Sequence, residues 1–179
     1  MMSLIEDRNE GFLLSVLVAP VSRSVIVMGK ILGGTTLAML QGALFLVAAP
    51  LLGIHFTAAS FLLILLDIFL VSFSLTALGF IIAWPMDTTQ GFHAIMNLLL
   101  LPMWLVSWAL FPMATAHGAI RAIMWVNPLT YSISLLNATL HLPASPGAFE
   151  SVVVTAAFGL VLLLISGAMA AQKATRSAA

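Results

Sequence analysis

The chain has 179 residues, 62% of them hydrophobic and 7% charged, with six basic and six acidic side chains and no cysteine. Soluble domains carry about 25% charged residues, so this composition, with a mean hydropathy of +1.17, excludes a water-soluble enzyme, a disordered chain and a secreted scaffold. Zero formal net charge leaves no basic face for nucleic acid, and the lack of cysteine removes disulfides, thiolate metal sites and cysteine nucleophiles.

The chain opens on a polar turn, Glu6-Asp7-Arg8-Asn9-Glu10-Gly11, where a secretory signal would carry basic residues. Phe12-Leu13-Leu14-Ser15-Val16-Leu17 follows, and Ala19-Pro20 stops it before Val21-Ser22-Arg23. The pattern predicts a short cytoplasmic helix whose acidic start suits the positive end of the helix dipole. A helix resting on lipid would be richer in Lys and Arg, so its apolar face calls for a protein partner. Residues 1–30 therefore form a cytoplasmic segment ahead of a transmembrane domain over residues 31–179.

A spanning helix needs about 20 mostly apolar residues. Four runs qualify, at about residues 31–54, 60–84, 92–111 and 152–171. No strand-like alternation appears, and helices are then the spanning solution that pairs every backbone group. The expected fold is all-α: a polytopic transmembrane bundle of four spans, with a cytoplasmic helix and a short outer interfacial helix.

The first span carries Gln41 and a stripe of small residues, Gly29, Gly33, then Gly34, Ala38 and Gly42, which permits close helix approach within one subunit or across a dimer. The second holds Asp67, an ionisable group that costs at least about 3 kcal/mol inside a membrane. It reads as a substrate or proton contact, or as a hydrogen bond to a neighbouring helix, and the second is the commoner use. In the third span Gln90, His93 and Asn97 share one face. They line a polar entry or join helices. The connection over residues 112–150 contains an amphipathic stretch, Ala116 to Val126, which lies at the interface or dips back into the protein. Asn127-Pro128 breaks it, and a short apolar stretch from Ser132 to Leu142 follows.

Arg8, Arg23 and Lys30 precede the first span and Lys173 and Arg176 follow the fourth, which places both termini in the cytoplasm. Gly29-Lys30 is the nearest approach to a phosphate loop, but Ser24 stands where its first glycine belongs and Ile31 replaces its hydroxyl residue. His55, His117 and His141 lack metal-ligand spacing, so no metal site is expected. Asp67 and His93 lie near opposite ends of their helices, which speaks against an intramembrane enzyme.

The order of three segments resembles the membrane subunit of type-2 ABC exporters, the ABC-2 permeases. Residues 6–11, Leu17-Val18-Ala19-Pro20-Val21-Ser22-Arg23 and Gly29-Lys30-Ile31-Leu32-Gly33-Gly34 resemble that family's coupling segment and the helix after it. Leu101-Pro102 and Ser107 through Pro112 resemble its fifth span and outer turn, although Trp108 stands where a glycine is common. Asn127-Pro128-Leu129-Thr130-Tyr131 resembles its outer signature. The resemblance implies a subunit of the bacterial inner membrane that pairs with a second permease in membrane lipid. It also implies docking of a separate ABC ATPase through Glu6, Asp7, Arg8, Glu10, Gly11, Phe12, Leu13, Val16, Leu17, Pro20 and Arg23. ATP and magnesium would be held by that partner, with no catalytic residue or cofactor in this chain. Gln41, Asp67, His93 and Asn97 are its pathway or packing candidates. The family usually has six spans with two before the coupling segment, so the resemblance implies that the sequence is similar to the C-terminal two-thirds of a permease. A non-transport assembly or scaffold protein is the alternative reading.

Overall fold

The computed structural model describes residues 5–6, 23–107 and 116–177, with only the helical backbone for residue 23 and residues 172–177. The expected docking residues Asp7, Arg8, Glu10, Gly11, Phe12, Leu13, Val16, Leu17 and Pro20 lie outside the described residues. So does the expected outer turn at residues 108–112.

Six helices lie wholly among the described residues, in order: α1 (Arg23–Ala48), α2 (Ala58–Ala83), α3 (Thr89–Leu105), α4 (Gly118–Val126), α5 (Pro128–Thr139) and α6 (Ala148–Ser177). A single 3-10 turn, Ala49–Leu52, extends α1. Among the described residues three stretches are long and apolar enough to cross a membrane: Ser24–Leu52, Ala58–Ala83 and Ala148–Ala171. The third expected span is represented by α3, which has 17 residues and contains Pro102. At about 1.5 Å per residue it extends roughly 26 Å, somewhat less than a hydrocarbon core of about 30 Å.

Local chemistry sets the helix ends. The Thr57 hydroxyl accepts from the Ser60 N–H to start α2, and the Thr88 hydroxyl accepts from the Gly91 N–H to start α3. Pro85 follows α2 and cannot continue it. The helix α1 begins at Arg23 and so takes in Lys30 and the glycines after it. Burial of Val27 and Ile31 outweighs the weak helix propensity of Gly29 and Gly33.

Helix α2 is the centre of the bundle, packed chiefly on α6 and α1, with α5 wedged between α2 and α6. At one end Ile5, Val27 and Ile31 meet Ala77, Phe80 and Ala83 of α2, Phe92 of α3 and Ala170 of α6. The start of α1 and the far part of α6 therefore lie at the same end of the bundle. Toward the other end Gly42 faces Ile68, where an added Cβ would come within 2.9 Å of the isoleucine Cγ2. Gly42 thus serves packing within the subunit, whereas Gly29 and Gly33 face open space.

Candidate functional site

Asn127 is the joint of the connection between α3 and α6. Its side-chain oxygen accepts from the Leu129 N–H, which caps α5, with Pro128 in the first helical position. Its amide Nδ2 donates to the Met103 carbonyl near the end of α3. That carbonyl is available because its helical partner, the Ser107 N–H, turns to Trp104 instead. The Tyr131 hydroxyl donates to the Trp125 carbonyl in the last turn of α4, at 2.7 Å. Burial pushes the Tyr131 phenol above its ordinary pKa, and the negative charge of Glu150 adds to this. Two side chains of one signature therefore tie α3, α4 and α5 together. Asn127-Pro128, expected as a break, is also a start, which is why α5 begins before Ser132.

Helix α5 runs antiparallel to α2. The Ser60 hydroxyl donates to the Thr139 carbonyl at one level, and the Ser132 side chain hydrogen-bonds the Asp67 carboxyl at another. The two contacts are seven residues apart on both helices, or about 10 Å. From Ser132 the helix continues to Pro128, about 6 Å further from the Ser60 end. The connection between α3 and α6 therefore dips into the bundle, and its polar signature is buried: Asn127, Pro128, Thr130 and Tyr131 are covered, Leu129 half so.

Asp67 points into this packing rather than away from it. It is 4% exposed, and its Oδ1 has no hydrogen-bond partner among the described residues. The start of α5 lies one turn before Ser132, which puts the positive end of that helix near the carboxyl. The buried polar seam continues along α2 and α6, which run parallel. The Ser74 hydroxyl donates to the Thr155 carbonyl at 3.2 Å, and the Ser166 hydroxyl reaches the Ala77 carbonyl at 3.5 Å. Gly159 allows the approach, since a Cβ there would lie 2.7 Å from the Ser74 Oγ. Sequence reasoning missed Ser74, Ser132, Ser151 and Thr155. The spacing Ser151, Thr155, Gly159 on α6 was the available signal, a stripe of small residues at four-residue steps.

The remaining candidates lie elsewhere. Gln41 on α1 and His93 and Asn97 on α3 are exposed, and Gln90 joins the two α3 residues on one face. Glu6 is exposed beside buried Ile5, and Arg23 opens α1. The structure thus separates an inward group around Asp67 from outward polar positions; it does not gather the four pathway or packing candidates into one site.

Long apolar helices around a short, largely buried helix mark an integral membrane protein. Residues 1–141 match the ABC-2 type transporter family, to which the chain belongs. It is accordingly a permease component of an ABC transporter, a transport element rather than a catalytic one. The matched region ends just after α5. No curated protein and no solved structure shows a detectable match.

Proposed function

We propose that the chain is the pathway-forming subunit of an ATP-driven exporter. It pairs with a second permease and docks a separate ATPase through residues 6–23, with Phe12, Leu13, Val16 and Leu17 as the apolar anchor. Both termini lie on the cytoplasmic face of an inner membrane. ATP-driven closure of the ATPases tilts the helices and switches access between the two sides.

The observation that carries this reading is the exposed polar face of α3, with Gln90, His93 and Asn97 turned away from the subunit. In lipid each unsatisfied amide or imidazole costs several kcal/mol. An aqueous path or a second subunit removes that cost. On α1, Gln41 is also exposed, and Gly29 and Gly33 face open space.

Co-purification tests the docking. Truncating a buried aromatic anchor costs about 2 kcal/mol or more, which weakens a complex some thirtyfold. Phe12→Ala and Leu17→Asp should insert normally yet lose the ATPase and its substrate-stimulated hydrolysis, while Leu129→Ala retains both. Unchanged ATPase binding in both docking variants refutes the proposed surface.

A further inference from the structure

Buried helix hydroxyls in this bundle ordinarily satisfy themselves. Thr35, Ser74, Thr139 and Ser166 each donate to the carbonyl four residues back, at 2.7–2.8 Å. Ser151 and Thr155 of α6 do not. They are 0% and 1% exposed, yet neither hydroxyl has a hydrogen-bond partner among the described residues. Leaving a buried donor and acceptor unpaired is costly, so two such groups one turn apart call for a ligand.

Helix register brings both hydroxyls to the unpartnered Oδ1 of Asp67. Across the contact between α2 and α6, Ser74 meets Thr155 and Gly159. Asp67 precedes Ser74 by seven residues, two turns back on the same face of α2. Ser151 precedes Gly159 by eight residues on the parallel helix α6, with Thr155 midway on the same face. Asp67 and Ser151 therefore stand at about the same height, and Thr155 stands one turn beyond. The register of α5 agrees, because Ser132 bonds Asp67 while the Ser134 hydroxyl donates to the Pro146 carbonyl, just before α6, at 2.6 Å. Thr130 Oγ1 is unpartnered too, but it lies on another side of α5 from Ser132 and is not counted with them.

We propose that Asp67 Oδ1 and the hydroxyls of Ser151 and Thr155 bind a monovalent alkali cation, with sodium as the ion to test, where α2, α5 and α6 meet. A carboxylate and two hydroxyls form an all-oxygen set, which suits a hard cation and no soft one. One carboxylate balances one positive charge, whereas a divalent ion would leave excess charge buried in an apolar bundle. A hydroxyl that faces a cation keeps its lone pairs for the ion, which accounts for the two back-bonds that Ser151 and Thr155 do not make. Ser132 steadies the carboxyl from the α5 side, so the ion joins α6 to an α2–α5 pair already in contact. The site shares no residue with the proposed docking segment or with the polar face of α3, and it stands or falls independently of the export reading.

The test uses the full chain, purified in detergent in choline chloride and titrated with radiolabelled sodium. Bound ion should saturate at one per chain. Asp67→Asn, which keeps the shape of the carboxyl without its charge, should abolish binding. Ser151→Ala and Thr155→Val should each weaken it about tenfold, the loss of one contact to a charged group. Thr155→Ser retains a hydroxyl and should bind within about twofold of the natural chain. Thr35→Val removes a buried hydroxyl that already bonds its own helix, and should bind as the natural chain does. No saturable binding, or binding that survives Asp67→Asn, overturns the proposal. Equal losses in Thr155→Val, Thr155→Ser and Thr35→Val would mark a general packing defect and overturn it as well. Normal binding in Ser151→Ala and Thr155→Val removes the two hydroxyls as ligands, and the site with them.

Discussion

Substitutions at Asn127 separate its two bonds. Asn127→Ala removes the α5 cap, worth about 1 kcal/mol, and strips the Met103 carbonyl of its amide donor, at about 1–3 kcal/mol for a buried group left unpaired. The sum is about 2–4 kcal/mol. For a chain of this length that lowers the melting temperature by on the order of 10 °C. Asn127→Ser keeps an oxygen able to cap the helix but supplies no amide to reach Met103, so it should fall between the alanine variant and the natural protein. Thermal unfolding of the purified protein in detergent, followed by tryptophan fluorescence, measures all three. An alanine variant as stable as the natural chain refutes the joint. A serine variant as unstable as the alanine one refutes the division of labour between its two atoms.

Other substitutions probe the remaining contacts. Asp67→Asn keeps the shape beside Ser132 and removes a buried, incompletely paired carboxyl, so stability should hold or rise, because such groups are seldom net stabilising; a marked fall in melting temperature contradicts this. Gly159→Ala should cost about 1–3 kcal/mol by pressing on Ser74. Adding Ser74→Ala should recover part of that loss, and strict additivity in a double-mutant cycle counts against the close approach. Cysteines at Ser145 and Ser177, each alone in a chain that has none, report orientation: an impermeant reagent on intact cells should label position 145 and spare position 177.

Much of the bundle was legible because lipid imposes simple demands. Apolar runs of spanning length became α1, α2 and α6, and Thr57, Thr88 and Asn127 stand where helix starts need them. Ala116 to Val126 was visible as a short helix, and the stretch from Ser132 only as a short apolar run. Less legible was where α5 goes. Depth depends on pairing with another helix, and Ser60–Thr139 and Asp67–Ser132 are contacts between distant residues with no local signature. The glycine stripe on α1 read as one surface, yet Gly42 packs on Ile68 while Gly29 and Gly33 remain open, a division that only the helix's rotation determines. For Asp67 a hydrogen bond to a neighbouring helix was one of two readings, and no local signal picks out Ser132 among the many serines.

The most direct test of the transport reading is the accessibility of α3. Asn97→Cys gives the chain its sole thiol on the exposed polar face, and Leu164→Cys gives one on the exposed apolar face of α6. In membranes containing the ATPase partner, a water-soluble maleimide should modify position 97 much faster than position 164, and the rate at position 97 should change when ATP is supplied. Equal, slow modification at both positions, indifferent to ATP, would mean that α3 faces lipid and lines no path.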